Sequence, residues 1–197
     1  MNFPKILKNK FIAIFLIAVL LIAFAVFIMK IFETINPKVK IETSKGDIII
    51  ELYPDKAPIT VENFLNYVND GFYNDLVFHR IISGFMIQGG GFDILGKEKQ
   101  TKPPIKLESN NGLKNEKYTI AMARTNIPDS ATSQFFVNAN NNDFLNKQPG
   151  VDGYAVFGKV ISGQNIINEI EKSSTTIKNG MPDWPVEDII IKKISVV

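Results

Sequence analysis

The stretch FHRIISGFMIQGG, residues 78–90, has the most unusual combination of residues in the chain and marks a candidate site. It places His79 and Arg80 side by side inside a run that is otherwise almost wholly apolar. His79 is the only histidine of the chain, and Arg80 is one of two arginines in a chain with 20 lysines. Taken alone, the stretch is also typical of a surface arginine on a strand, with Phe85 and Met86 in an ordinary core.

On both sides of this stretch the sequence predicts mostly short strands. Residues 39–52, VKIETSKGDIIIEL, form two strand-like runs around a turn at Ser44-Lys45-Gly46, which is a hairpin pattern. Clusters of Gly, Asn and Pro separate further apolar or alternating runs at 77–82, 85–88, 118–122, 135–138, 154–160 and 188–197. Many short strands predict a mainly β fold, an antiparallel barrel that closes on itself to remove its edges.

Two segments of the globular part have helical periodicity, and both are expected to plug the barrel. Residues 57–73 place apolar side chains on one face, with Thr60 as a candidate cap and Gly71 as the residue that ends the helix. Residues 162–172 form a shorter candidate. The long stretch 89–117 is expected to be an ordered surface loop, and loops of this length are often functional.

The N-terminal segment has a different character. Residues 11–29, FIAIFLIAVLLIAFAVFIM, contain no charged or polar side chain. As a helix they would span roughly 28 Å at about 1.5 Å per residue, close to the thickness of a bilayer core. Three lysines precede this run and one follows it, so the N-terminus should stay in the cytoplasm and the rest of the chain should lie outside.

We therefore expect four regions and a location in the cell membrane. They are a basic cytoplasmic N-terminus (1–10), an uncleaved transmembrane signal-anchor helix (11–29), a linker (30–37) and a globular domain (38–197) on the extracytoplasmic side. A cleaved signal peptide is the main alternative, although its apolar region is usually shorter, about 7–15 residues. A buried core helix is the least favoured interpretation.

The composition excludes several kinds of chemistry. There is no cysteine, which excludes disulfides, thiolate metal sites and cysteine nucleophiles. With one histidine, we expect no metal site, and no cofactor. From residue 31 onward there are 18 basic and 20 acidic side chains, so nothing predicts a nucleic-acid partner. A serine–histidine pair through His79 stays open, although a lone histidine in an apolar strand is more often a hydrogen-bonded core residue.

Four motifs occur in one order along the globular part: FHRIISGFMIQGG (78–90), AMARTNIPDSATSQFF (121–136), NDFLN (142–146) and GYAVFGKV (153–160). Together they resemble the cyclophilin family of peptidyl-prolyl cis–trans isomerases, in its bacterial branch. The resemblance runs from about Val39 to Val197. It implies a closed eight-stranded antiparallel β-barrel with two helices, which agrees with the pattern of strands, and an enzyme that isomerises X–Pro bonds.

The resemblance also implies a set of site residues. The family's catalytic arginine falls on Arg80, and its partners on the neighbouring strand fall on Phe85 and Gln88. The substrate-binding positions fall on Met86, Ala123, Arg124, Thr125, Gln134, Phe136, Phe144, Leu145 and Tyr154. The better-known eukaryotic members have Asn at position 124, and often Trp at 144 and His at 154, so these departures leave substrate preference open. Both arginines of this lysine-rich chain thus fall on the expected binding face.

Three functions stay open on the sequence. The first is an isomerase tethered outside the cytoplasm, which accelerates X–Pro isomerisation during folding of exported proteins. The second is a binding module that holds proline-containing segments, and the third is a structural membrane protein. The expected partners are proline-containing polypeptides and the membrane. Nothing in the sequence predicts an oligomer, so we expect a monomer.

Overall fold

The structure, a computed structural model, describes residues 14–24 and 36–197. The chain divides between Ile35 and Asn36 into two units, which are described separately. In the N-terminal unit, residues 14–24 are helical (α1) and their side chains are exposed. Within the described ranges, no helix has the length and apolar character needed to cross a membrane. Of the predicted segments, 1–10 lies outside the described residues, 11–29 is described only at residues 14–24, and 30–37 only at residues 36 and 37.

The unit from Asn36 to Val197 contains ten strands, eight of which form a closed antiparallel barrel. The strands are β1 Lys38–Thr43, β2 Gly46–Leu52, β3 Leu76–Ile82, β4 Met86–Asp93, β5 Thr119–Met122, β6 Phe135–Asn138, β7 Val156–Ser162, β8 Thr175–Lys178, β9 Met181–Pro185 and β10 Ile190–Val196. Around the barrel the order is β1, β10, β3, β4, β6, β5, β7 and β2, and β2 pairs with β1 to close the ring. The predicted closed eight-stranded barrel is confirmed.

Side chains alternate between the barrel interior and its outer surface, as the pleat of a strand requires. Strand β6 shows this directly, because Phe135 and Val137 belong to the main core whereas Phe136 belongs to a second apolar cluster. The second cluster also contains Met86 of β4 and Ala121 of β5. One wall of the barrel therefore presents an apolar patch on its outer side as well as on its inner side.

The two predicted helices are confirmed as α2 (Pro58–Asn69) and α3 (Gln164–Ile170), and both add buried side chains to the main core. Helix α2 ends as predicted, because Gly71 has a left-handed φ of 64° just beyond the last turn. The predicted cap is wrong. The helix begins at a proline and has no side-chain cap, and Thr60 lies inside its first turn. Instead, the Glu108 carboxylate from the long loop accepts hydrogen bonds at this helix end.

The strand that contains Arg80 is irregular in a way that matters for the site. Phe78 pairs with Gly89 and Arg80 pairs with Gln88, so two steps along β3 match one step along β4. This is a β-bulge, which re-aims side chains and is common next to active sites. Phe78 belongs to the main core, and Arg80, two positions later, pairs with Gln88 and lines the cavity described below.

The hairpin formed by β8 and β9 lies outside the barrel and was not predicted. It packs against β3, the strand that contains Arg80.

The predicted surface loop starts later than expected. The strand predicted at 85–88 is longer in the structure, because β4 continues to Asp93. The residues that follow, up to β5, contain only short turns and isolated bridges.

Candidate active site

The site is built on the outer face of the barrel wall. A row of paired residues crosses five neighbouring strands: Arg80 on β3, Gln88 on β4, Phe136 on β6, Ala121 on β5 and Val156 on β7. Residues paired in this way project to the same side of a sheet. The row begins with a cation and an amide and continues as an apolar surface, so one edge can bind polar atoms while the rest accommodates a ring.

A cavity of about 140 Å³ opens over this row. Nine of the twelve residues predicted from the sequence line it: Arg80, Phe85, Met86, Gln88, Ala123, Arg124, Phe136, Leu145 and Tyr154. The Phe136 and Tyr154 rings meet edge to face, with centroids 5.6 Å apart. The structure thus gathers residues from distant parts of the chain into one small slot, in which aromatic and aliphatic side chains lie beside two arginines and a glutamine.

A second cavity of about 200 Å³ adjoins the first and shares Gln88, Ala123 and Arg124 with it. Two further predicted residues, Thr125 and Gln134, lie here rather than in the first cavity. Three residues that the sequence did not single out complete it: Glu98, Ser130 and Thr132. Glu98 lies in the long loop, outside the four motifs, so the sequence did not indicate that it would line this cavity.

Phe144 is the one predicted residue that lines neither cavity. Its side chain is 64% exposed, and its ring stacks on Phe85 with centroids 5.4 Å apart. Phe85 itself lines the first cavity. Phe144 therefore supports the rim of the site from outside through Phe85.

The two arginines of the chain have different surroundings. The Arg124 guanidinium donates to the Gly153 carbonyl through Nε and Nη2, at 3.0 and 2.8 Å, and to the Thr125 carbonyl through Nη1 at 2.9 Å. It also lies over the Tyr154 ring, 4.6 Å from the centroid. Its hydrogen-bonding capacity is largely used by the protein, so Arg124 fixes the wall that contains Tyr154.

Arg80, by contrast, makes a single ion pair within the described part of the chain. Its Nε lies 3.3 Å from Oδ2 of Asp183 on β9, and its side chain is 40% exposed. A guanidinium has five N–H donors, and this contact uses one. Next to it, the Gln88 amide donates to Oε1 of Gln134 at 2.9 Å, which fixes its orientation. The terminal nitrogens of Arg80 therefore remain available at the polar edge of the cavity.

His79 does not take part in this cavity. It is 5% exposed and packs against Phe92, with ring centroids 4.7 Å apart. Burial lowers the pKa of its imidazole from the usual 6.5 to about 4, and its Nδ1 has no hydrogen-bond partner. It is thus a buried, neutral ring, and no serine lines the first cavity, so a serine–histidine pair is not formed there.

No group of three or more acidic or histidine side chains within the described residues could hold a metal ion. The polar groups at the site are amides, hydroxyls, two guanidiniums and Glu98. This set suits binding of a polypeptide backbone and an apolar ring.

The described fold is thus a closed antiparallel barrel whose outer face has a cavity lined by an arginine and by aromatic and aliphatic side chains. The chain belongs to the cyclophilin-type peptidyl-prolyl cis–trans isomerases, because residues 38–196 match the family described as "Cyclophilin type peptidyl-prolyl cis-trans isomerase/CLD".

Curated relatives agree with this assignment. The chain is 52% identical over 162 residues to peptidyl-prolyl cis-trans isomerase B of Escherichia coli, covering 80% of this chain and 98% of the relative. It is 50% identical over 160 residues to a peptidyl-prolyl cis-trans isomerase of Acinetobacter baylyi, covering 80% and 85%. A crystal structure of a cyclophilin type peptidyl-prolyl cis-trans isomerase from Cryptosporidium parvum superposes with a TM-score of 0.69 at 29% identity, covering 82% of this chain and 98% of that one.

Proposed function

We propose that Arg80 is the catalytic residue of the isomerase, and that it acts by stabilising the twisted X–Pro amide. The observation that carries this proposal is the position of Arg80, which lines the cavity together with aromatic and aliphatic side chains and has one guanidinium nitrogen held by Asp183. The other predicted residues then divide into an apolar slot for the proline ring and polar groups for the adjoining backbone.

The reaction explains why these residue types are needed. An X–Pro bond rotates slowly because the amide has partial double-bond character, with a barrier of roughly 20 kcal/mol. No covalent bond changes and no proton has to leave, so a general base is not required. The enzyme must bind the twisted amide more tightly than either planar form.

Twisting localises the lone pair on the prolyl nitrogen, which can then accept a hydrogen bond. A guanidinium suits this task because it stays charged and holds several donors in one plane. Phe85, Met86, Phe136 and Leu145, with Tyr154 at the rim, line the slot that would receive the proline ring. Gln88 and Gln134, which are hydrogen-bonded to each other, supply polar groups without adding charge.

An isomerase assay on an X–Pro peptide, by two-dimensional exchange NMR or protease coupling, tests this proposal. We expect Arg80→Lys to be a poor enzyme although it keeps the positive charge, because an ammonium cannot reproduce the planar fork. If Arg80→Lys turns over like wild type, geometry at Arg80 is unimportant. Catalysis would then depend on positive charge or on the apolar side chains of the slot, and not on the planar fork of a guanidinium.

We also propose that the enzyme is anchored in the cell membrane by residues 11–29, with the barrel on the extracytoplasmic side, and that it acts during folding of exported proteins. The uncharged run of nineteen residues and the excess of lysines before it support this arrangement. We also propose that the protein is a monomer, because nothing in the sequence predicts an oligomer.

Topology can be measured directly on spheroplasts of cells that produce the full-length chain. External protease should digest the barrel, and alkaline carbonate should leave the protein in the membrane fraction. Removing the three lysines before the apolar run, by Lys5→Gln, Lys8→Gln and Lys10→Gln together, should lower the fraction of molecules whose barrel is outside the cytoplasm. A protected barrel would contradict the proposed side of the membrane, and release of a fragment that starts near residue 30 would indicate a cleaved signal peptide.

A further inference from the structure

The hairpin β8–β9 brings a carboxylate to the proposed catalytic arginine. Oδ2 of Asp183 accepts from Nε of Arg80 at 3.3 Å, across 103 positions of sequence. The two side chains are 40% and 34% exposed, so they lie at the margin of the cavity rather than in the core. Nε is the guanidinium nitrogen nearest the backbone, and a contact there leaves both terminal nitrogens for other partners.

The hairpin is fixed to the barrel by the residue that follows Asp183. Trp184 is fully buried, and its ring packs against Phe92 and against His79, the neighbour of Arg80, with centroids 6.4 and 6.1 Å away. Its Nε1 donates to Asp188 at 2.7 Å, and Lys178 both pairs with Asp188 and lies over the indole ring. Position 183 is therefore held by a buried anchor one residue away.

The backbone at Asp183 is itself constrained. Thr176 pairs with Trp184 and Lys178 pairs with Met181, so β9 has one more residue than β8 between these pairs, which makes a bulge. Asp183 lies in this bulge with a φ of 62°, in the left-handed region that non-glycine residues adopt uncommonly. Such conformations persist where the surrounding structure holds them, and they cluster at functional sites.

We propose that Asp183 is a positioning residue for the reaction: it holds Arg80 through Nε so that the terminal nitrogens face the X–Pro bond. This inference rests on the proposed role of Arg80 and extends it to an element outside the barrel. A free arginine samples many rotamers, and a partner at Nε limits them before substrate binds. A correctly oriented guanidinium interacts more strongly with the twisted amide than with the planar one. Loss of Asp183 should therefore lower kcat more than it raises KM.

The test measures kcat and KM separately for the full-length protein and its variants, by exchange NMR on one X–Pro peptide. Asp183→Gly removes the carboxylate and tolerates a positive φ, so it avoids backbone strain. We expect it to lose about three- to tenfold in kcat/KM, mostly in kcat, since partly exposed ion pairs contribute modestly. Asp183→Asn keeps an oxygen acceptor and should lose less. Glu187→Ala removes a nearby exposed carboxylate that pairs with Lys45, and should match wild type.

A double-mutant cycle separates the two proposals. Asp183→Gly should cause no further loss when Arg80 is already alanine, because its effect passes through the guanidinium. If Arg80→Ala alone keeps full activity, the proposed role of Arg80 is wrong. If Arg80→Ala is impaired but Asp183→Gly stays within twofold of wild type, or lowers activity equally in both backgrounds, the inference about Asp183 is wrong. A melting curve for each variant identifies losses that come from unfolding. If the glycine variant does not fold, Asp183→Asn is compared with wild type in both Arg80 backgrounds: a loss of kcat only where Arg80 is present supports the inference, and no loss contradicts it.

Discussion

Arg80 and His79 are consecutive residues with opposite environments. Arg80 pairs with Gln88 just beyond the bulge in β3 and lines the cavity, whereas His79 is buried beside Phe92. The sequence showed that this pair was unusual, and the motifs placed Arg80 on the binding face. They could not show where the histidine would point, because a bulge depends on pairing with a strand that the local sequence does not specify. The prediction of a hydrogen-bonded core histidine is only partly right, since His79 is buried but its Nδ1 is unpartnered.

The buried imidazole makes stability depend on pH in a defined window. Its folded pKa of about 4 lies below the usual 6.5, so the unfolded chain takes up a proton first as the pH falls. The contribution of neutral His79 is complete above about pH 6.5 and is lost progressively toward pH 4. We expect wild type to lose roughly 1–3 kcal/mol more than His79→Leu between pH 7 and pH 4.5.

Urea unfolding of both proteins at a series of pH values measures this difference. Carboxylates titrate in the same range, but they are common to the two proteins and cancel. Parallel curves of unfolding free energy against pH would show that His79 takes up its proton equally in both states. Activity per folded molecule should stay near wild type in His79→Leu, because the ring does not line the cavity.

At the scale of elements, the barrel strands and both helices followed from their patterns, but the parts that complete the site did not. The hairpin β8–β9 has an almost fully exposed first strand, so its sequence lacks the apolar alternation by which a strand is recognised. Its proposed role in positioning Arg80 depends on the buried Trp184 and on a bulge, and neither feature produces a periodic sequence pattern. The long loop likewise contributes Glu98 to the second cavity and Glu108 to a helix through contacts that are distant in sequence.

Glu108 replaces the side-chain cap that α2 lacks. Its two oxygens accept from the Ile59 and Thr60 amides at 3.1 and 2.8 Å and from the Thr60 hydroxyl at 2.7 Å. A carboxylate at a helix N-terminus also interacts favourably with the helix dipole. We expect Glu108→Ala to lower the free energy of unfolding by about 1–3 kcal/mol, because charged hydrogen bonds are lost and helix donors are left unpaired.

Glu187→Ala is the matched control, since the Glu187 side chain is 81% exposed and makes one surface ion pair. It should change stability by less than about 0.5 kcal/mol. Denaturant unfolding of the three proteins checks the comparison. Equal stability of Glu108→Ala and Glu187→Ala would mean that the loop does not support the helix.

At the scale of the whole molecule, closure of the barrel brings the four motifs together. The row of paired residues that forms the site crosses five strands, and its register is fixed by neighbours on both sides of each strand. The motifs predicted which residues meet, because all twelve lie in or beside the two cavities. The motifs did not predict which residues line which cavity, or that Phe144 lines neither. Those details depend on the register between the strands.

Gly158 on β7 lies where its neighbouring strands β2 and β5 leave no space for a side chain. A Cβ there would clash with the carbonyl oxygen of Glu51 on β2 and would lie 3.2 Å from Cγ2 of Ile120 on β5. The first of these is backbone and cannot rotate away, so Gly158→Ala should force β2 and β7 apart. We expect a loss of about 1–3 kcal/mol or more in unfolding free energy, with a lower melting temperature. Ser162→Ala, at an exposed position of the same strand, should melt like wild type, and a Gly158→Ala that does so too would contradict the tight closure.

The most direct test of the central claim is the isomerase activity of Arg80→Ala beside its melting curve. A charge-assisted hydrogen bond contributes roughly 1.5–3 kcal/mol, and each 1.4 kcal/mol is about tenfold in rate, so one such bond predicts a loss of about 10- to 150-fold in kcat/KM. The melting curve should stay close to wild type, because the Arg80 side chain is 40% exposed and its removal takes little from the core. An Arg80→Ala protein that melts normally and keeps wild-type turnover would contradict the catalytic role, and would leave the apolar slot as a binding site for proline segments.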